Sequence, residues 1–100
     1  MILYNVTVAI DKEVEEEWVI WMKNVHIPEV METNQFEEYK FFKVLNTDDP
    51  KASSYSVQYF AESMKNIQLY MNAFAPELQQ KALLKFPNRI AAFRTILETV

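Results

Sequence analysis

The chain has 100 residues, and none of them is glycine. Average glycine usage is roughly 7%, so this absence is a strong constraint. Loops that cradle phosphate groups need backbone without a Cβ, which excludes nucleoside-triphosphate loops and Rossmann dinucleotide-binding turns. Tight hairpin turns need positive φ angles. They must therefore be made by Asn or Asp here, or be replaced by longer loops.

The strongest periodic signal is an amphipathic helix over residues 14–31. Its apolar residues recur at steps of three and four: Val14, Trp18, Trp21 or Met22, and Val25. Asp11 is placed to accept hydrogen bonds from the free amides of the first turn, so the helix begins just after it. Pro28 lacks an amide hydrogen and disfavours helical geometry at the residue before it. We therefore predict a kink or a restart at Pro28, which places His26 at a bend.

Four stretches have the alternation or composition of β-strands, at residues 2–10, 36–45, 55–61 and 89–97. A second helix lies between the last two, with Ser63 as its N-cap and Pro76 as an interruption. The order β-α-β-β-α-β is typical of the ferredoxin-like fold, a four-stranded antiparallel sheet with both helices on one face. We predict an α+β protein with one domain over residues 1–100.

Composition excludes several classes of function. The formal net charge is -4 and no basic stripe is present, which argues against binding of nucleic acid or of an anionic membrane surface. The chain has no cysteine, so disulfides and thiolate metal sites are excluded. No apolar run approaches the roughly 20 residues of a membrane span, and the N-terminus lacks the pattern of a secretion signal. We expect a cytoplasmic protein.

The alternation along three strands assigns one face of the sheet to the core. The more apolar set is Ile2, Tyr4, Val6, Val8, Ile10, Tyr55, Val57, Tyr59, Phe93 and Leu97. Phe93 and Leu97 are included because the alternative would bury Arg94. The open face then carries Leu3, Asn5, Thr7, Ala9, Ser56, Gln58, Phe60, Ala92, Arg94 and Ile96. Such a mixed surface indicates a subunit interface or the wall of a pocket, and pairing of two sheets would make both.

Three segments resemble a bacterial family of short proteins of unknown function: YNVTVAIDKEVEEEWVIWMKNVHIPEVM, YSVQYFAES and AAFRTILE. The family is similar in architecture to the dimeric α+β barrel proteins, in which two ferredoxin-like sheets face each other around a cavity. That superfamily includes small monooxygenases, haem-degrading enzymes and ligand-binding modules. The resemblance therefore implies a homodimer more strongly than any activity. Some of those relatives have a helix ending in His-x-Pro, which matches His26, Ile27 and Pro28.

Five residues are candidates for ligand binding: Asn5, Thr7, His26, Gln58 and Arg94. His26 is suited to acid or base catalysis near neutral pH or to binding a cofactor, unless its cationic form caps the C-terminus of the helix. Arg94 either holds a carboxylate or phosphate group or pairs with a glutamate of the second strand. The other three either orient a ligand or satisfy one another at a dimer seam.

The remaining polar and aromatic residues have simpler interpretations. Trp18 and Trp21 are expected to anchor the core or an interface, and the glutamates at 15–17 to form a solvated first turn. Asp48 and Asp49 suit a turn, and we predict no metal site and no cofactor. No serine has a partner histidine at triad spacing, so hydrolase chemistry has no support.

Two functions follow from these observations. The first is a homodimeric module without catalytic activity, which binds a small molecule or a partner protein through the open sheet face. It is favoured because no reactive constellation is present. The second is a small cofactor-free enzyme similar to monooxygenases, with His26 as acid or base and with Arg94, Asn5 and Gln58 orienting the substrate.

Overall fold

The computed structural model describes residues 1–100 and confirms the ferredoxin-like fold. The strands are β1 (Ile2–Asp11), β2 (Glu38–Lys43), β3 (Ala52–Ala61) and β4 (Ile90–Glu98). They form one antiparallel sheet in the order β2-β3-β1-β4. Strand β2 is shorter than the predicted stretch 36–45, because Phe36 leaves the sheet and is buried in the core.

Each predicted helix consists of two α-helical pieces joined by a π-helical turn. The pieces are α1 (Glu15–Trp21), α2 (Ile27–Met31), α3 (Met64–Leu69) and α4 (Ala75–Lys85). The π turns are Met22–His26 between α1 and α2, and Tyr70–Phe74 between α3 and α4. None of the helices is both long and apolar enough to cross a membrane.

The two prolines explain the two π turns. Pro28 and Pro76 each lie two residues after the end of a π turn. A proline inside an α-helix has no amide to donate, and its ring collides with the carbonyl four residues back. The wider turn lets the amide of Ile27 reach the carbonyl of Met22, five residues back, and the amide of Ala75 reach that of Tyr70. The predicted restart at Pro28 is therefore confirmed, and the chain stays helical through it.

The turns show how a chain without glycine is connected. Asn34 follows α2 with φ of 62°, and Asn88 follows α4 with φ of 61°. Asparagine tolerates this left-handed conformation better than most residues, so it takes the place of glycine after these two helices. The hairpin between β2 and β3 uses a longer loop instead, in which Asp49 Oδ1 accepts a hydrogen bond of 2.8 Å from the amide of Lys51.

Helix α1 is fixed to the sheet by the buried ring of Trp18 and the half-buried carboxylate of Glu15. The indole of Trp18 is 1% exposed and packs against Tyr55 and Phe41, with ring centroids 5.0 and 5.8 Å away. Glu15 Oε2 accepts a hydrogen bond of 2.6 Å from the Tyr55 hydroxyl, and Glu15 Oε1 accepts one of 2.8 Å from Ser53. The bond from Tyr55 lowers the pKa of Glu15, while burial and the carboxylate raise the pKa of Tyr55 to about 12. The prediction of a solvated Glu15 is therefore wrong, whereas Glu16 and Glu17 are exposed.

The predicted face of β4 is also wrong. Val6 faces the helices, and its partner across the antiparallel ladder is Arg94, so Arg94 faces the helices too. Phe93 and Leu97 lie on the open face, where Phe93 is 62% exposed. The prediction assumed that the helix side of β4 is dry. Because β4 is an edge strand and Arg94 stays exposed, no charge is buried there.

Candidate functional site

A cavity of about 190 Å³ lies between the sheet and the helices. Its floor is formed by β1, β3 and β4, and its roof by residues of α1, α4 and both π turns. Thirteen of its sixteen lining residues are hydrophobic. Six lining residues carry aromatic rings: Tyr4, Trp18, Trp21, His26, Tyr59 and Tyr70. A concave, mainly apolar space with a few polar groups is typical of a small-molecule site.

The first π turn brings two of these rings together. Trp21 and His26 are stacked, with centroids 5.1 Å apart and ring planes 26° apart. Residues five apart in an α-helix point about 140° away from each other around the axis, because each residue advances about 100°. In a π-helical turn, residues five apart lie about one turn apart and on the same side. The widened turn is therefore what places both rings at the cavity.

His26 is neutral at pH 7. Burial lowers its pKa from 6.5 to about 4; the positive charge of Arg94 acts in the same direction, and the nearby carboxylate of Glu29 opposes the shift. The carboxylate of Glu29 is itself paired with Lys81 at 2.9 Å. The helix continues past His26 into α2, so the ring is not at a helix C-terminus. The interpretation of His26 as a cationic cap is therefore wrong.

Arg94 supplies the positive charge of the cavity. It lines the cavity from β4, next to Ala92 and Ile90 on the same side of the strand. The ion pairs of the chain are formed by Lys43, Lys81, Lys85 and Arg89, and none involves Arg94. Strands β2 and β4 lie at opposite edges of the sheet, so the expected pairing of Arg94 with a glutamate of β2 (37 or 38) does not occur.

Three tyrosines place their rings around the inner end of the cavity. Tyr4 is the centre of the group, with Tyr70 at 5.5 Å and Tyr59 at 6.4 Å between ring centroids. Burial raises the pKa of all three hydroxyls, and the charge of Arg94 partly offsets this effect at Tyr4 and Tyr70. The hydroxyls are therefore protonated near neutral pH and are available as hydrogen-bond donors.

The five predicted ligand-binding residues are divided between two surfaces. His26 and Arg94 meet at the cavity. Asn5, Thr7 and Gln58 lie on the open face of the sheet, which is the other side of β1 and β3. There the Asn5 amide donates to Thr7 Oγ1 at 3.1 Å and accepts from Ser56 Oγ at 2.6 Å. Asn5 is therefore satisfied by Thr7 and Ser56, and the open-face residues lie on the opposite side of the sheet from His26.

Sequence reasoning missed most of the cavity wall. Tyr4 and Tyr59 were assigned to the core, which is correct but does not reveal that their rings border a space. Gln79 of α4 was not singled out at all. The sequence did contain a signal for the stacked rings of the cavity wall. Trp21 and His26 are five residues apart and Pro28 follows, a spacing that implies a widened helical turn with both rings on one side.

Comparison with known proteins places the chain in a family. A single family model, Domain of unknown function (DUF4286), matches residues 1–100. The chain belongs to this family. No curated protein matches the DUF4286 chain.

Three solved structures share the fold of this DUF4286 chain. MhuD, in a mutant form with two manganese protoporphyrin IX molecules bound per active site, has 14% identity and a TM-score of 0.71, with coverage of 100% of this chain and 95% of MhuD. A dimeric ferredoxin-like protein from an uncultured marine organism has 14% identity, a TM-score of 0.65 and coverage of 100% and 97%. An antibiotic biosynthesis monooxygenase has 11% identity, a TM-score of 0.63 and coverage of 100% and 99%. At these identities the likeness shows the fold alone.

The residues of the DUF4286 cavity do not fit a haem group. An apolar cavity of about 150 Å³ holds one benzene ring, so the space of about 190 Å³ here is far too small for four pyrrole rings. The one histidine is stacked on Trp21 and has no second histidine to assist it. The chain also has no cluster of three His, Asp or Glu residues arranged to hold a metal ion.

Proposed function

We propose that this DUF4286 protein is a homodimer that binds a small organic molecule in the cavity between its sheet and its helices. The observation that carries the proposal is Arg94, which forms no ion pair, beside neutral His26 in an aromatic-lined cavity. Both residues were candidates from sequence, but the site lies on the helix side of the sheet and not on the open face.

The structure of the cavity wall supports binding more than a purely structural role. The apolar walls of this cavity are in contact with water when no ligand is bound, and an organic ligand that displaces this water removes apolar surface from solvent. Cavities in cores usually reduce stability in proportion to their volume. Polar groups are also present at Arg94, His26 and Gln79, and these can orient a ligand. A ligand that fills the space therefore gains both contacts and hydrogen bonds.

Filling the cavity is expected to abolish ligand binding. Ala82 of α4 lines the cavity, so Ala82→Trp places an indole inside it, whereas Ala73→Trp makes the same change at an exposed position. Indole is a suitable neutral probe, because it is slightly larger than benzene. In two-dimensional NMR titrations, indole should shift the amide signals around Trp21, His26 and Arg94 in the native protein and in Ala73→Trp, but not in Ala82→Trp. Shifts confined to any other surface contradict the proposed site.

The open face supports the dimeric part of the proposal. The centre of this face on β1 and β3 carries only uncharged residues, with the charged Asp11 at the end of β1: Leu3, Asn5, Thr7, Ala9, Ser54, Ser56, Gln58 and Phe60. Strand β4 adds the exposed side chains of Phe93 and Leu97. Depletion of charged residues is typical of interface cores. A second copy of the chain suits this face, and one similar structure is a dimeric ferredoxin-like protein.

A charge at the centre of the open face is expected to convert the dimer to a monomer. Gln58→Lys adds a positive charge to β3 in each copy, and a twofold axis through the face brings the two charges close together, where they repel. Gln80→Lys makes the same substitution at an exposed position of α4 and should leave the dimer intact. Native mass spectrometry at micromolar protein distinguishes the two species. A native protein that is already a monomer refutes the pairing.

A cofactor-free oxygenase is the second candidate, with His26 as the base. The neutral imidazole has an acceptor nitrogen, but its lowered pKa makes it a weak base; what favours this candidate is that a monooxygenase is among the proteins with this fold. Its pKa of about 4 leaves almost no imidazolium at pH 7, so the role of general acid is not supported. If the enzyme role holds, His26→Phe loses turnover of an oxidised substrate while it still binds that substrate.

The cytoplasmic location and the single-domain organisation stay predictions from sequence.

A further inference from the structure

The charge of the cavity restricts its ligand. Arg94 is the only lining residue with a formal charge at pH 7, because His26 is neutral and the others are uncharged side chains. Its guanidinium has no carboxylate partner within the chain, as the ion pairs all lie elsewhere. The cavity therefore carries one positive charge, and a ligand with one negative charge neutralises it.

The donors around Arg94 favour a planar anion. The guanidinium is close enough to Tyr4, His26 and Tyr70 to shift the pKa of each. A guanidinium matches the two oxygens of a carboxylate through parallel hydrogen bonds, and protonated tyrosine hydroxyls can donate to the same oxygens. A phosphate monoester carries close to two negative charges at neutral pH and needs a second cation, which the wall does not provide. Glu29 near His26 further disfavours a dianion.

The size and the walls define the rest of the ligand. Because an apolar cavity of about 150 Å³ holds benzene, a volume of about 190 Å³ accommodates one six-membered ring together with a group the size of a carboxylate. Six aromatic rings line this volume. Offset and edge-to-face contacts with these rings favour a flat aromatic ring over a saturated one.

We propose that the cavity binds a small aromatic monocarboxylate, with its carboxylate on Arg94 and its ring against Trp21 and His26. This inference rests on the proposed function, since it names the class of ligand for the same cavity. It assigns Arg94 as the residue that determines specificity, and it assigns Tyr4 and Tyr70 as additional donors to the carboxylate.

The test compares matched probes in calorimetric titrations up to millimolar concentration. Benzoate has the proposed charge and shape, benzamide is its neutral isostere, and phenyl phosphate carries the larger charge. Native protein should bind benzoate at least roughly tenfold more tightly than benzamide, as expected for a hydrogen bond to a charged group. In Arg94→Gln this ratio should fall to about one. Lys65→Gln removes a positive charge at an exposed position of α3 and should keep the ratio.

Three results overturn the inference: equal binding of benzoate and benzamide, a preference that survives in Arg94→Gln, or tighter binding of phenyl phosphate than of benzoate. Its failure is distinguishable from failure of the proposed function. If indole occupies the cavity but benzoate has no advantage, the site stands and only the ligand class is wrong. If neither indole nor benzoate perturbs the cavity, both proposals fail together.

Discussion

Replacing Trp18 with alanine is expected to lower the free energy of unfolding by about 3–5 kcal/mol, the range for truncation of a buried Trp or Phe. The indole is 1% exposed and contacts Phe41 of β2 and Tyr55 of β3. The substitution therefore leaves a void where α1 meets two strands. Since domains of this size have total stabilities of about 5–15 kcal/mol, the loss should be large in urea unfolding followed by circular dichroism.

Trp21→Ala is the matched control. Both tryptophans line the cavity, but Trp21 is only partly buried whereas Trp18 is 1% exposed, so the removal of Trp21 takes less apolar surface out of the core. We expect a smaller loss than for Trp18→Ala. Protein concentration must be equal in all samples, because dimerisation contributes to apparent stability. If Trp18→Ala does not fold, Trp18→Phe should still show an intermediate loss. An equal effect of the two alanine variants contradicts this account of the core.

The elements of the fold were predictable because their signals are local. Alternation over residues 2–10 and 55–61 and the three–four periodicity after Asp11 are strong, and they agree with β1, β3 and α1. The order of elements then allows few topologies. Even the absence of glycine had a local consequence, because Asn34 and Asn88 take the positive φ angles.

The face of β4 was not predictable by the same reasoning. Its two alternate sets are similar in hydrophobicity, with Ile90, Ala92, Arg94 and Ile96 on one side and Ala91, Phe93, Thr95 and Leu97 on the other. The cost of burying Arg94 was used to choose between them. That argument holds only if the helices cover the strand completely. They leave an open cavity at this edge, and the arginine reaches solvent there.

Glu15 and His26 were misjudged for a related reason. A glutamate in the first turn of a helix is usually solvated, but Glu15 meets Tyr55 and Ser53, which are some 40 residues away in sequence. His26 lies at a proline-related break, where a helix end was a reasonable expectation. The π turn keeps the chain helical and turns the ring toward the cavity. The environment of Glu15 depends on tertiary contacts that no local pattern contains, whereas that of His26 follows from the local π turn.

The stability of the native protein is expected to fall as the pH is lowered from about 6.5 to about 4, and His26 is the main cause in this range. Its pKa is about 4 in the folded chain and close to 6.5 when unfolded. Between these values the unfolded state binds a proton that the folded state excludes, so acid favours unfolding. Above pH 6.5 the penalty is absent, and below pH 4 it is complete at roughly 3 kcal/mol at most.

The single histidine makes this prediction unusually direct. No other side chain of the chain has an ordinary pKa between 5 and 8. The carboxylates that titrate near pH 4 are present in both the native protein and the variant, so their effects cancel in the comparison. They include Asp11 and Glu15, whose pKa values are lowered. His26→Phe keeps a ring against Trp21 but cannot bind a proton. The difference in unfolding free energy between native protein and His26→Phe should therefore be flat above pH 6.5 and should shift in favour of the variant as the pH falls.

The charges that face the ring are Glu29, paired with Lys81, and Arg94. If burial is the dominant cause, Arg94→Gln reduces the slope only slightly; a slope that disappears in Arg94→Gln instead assigns the low pKa to the cation and not to the apolar wall.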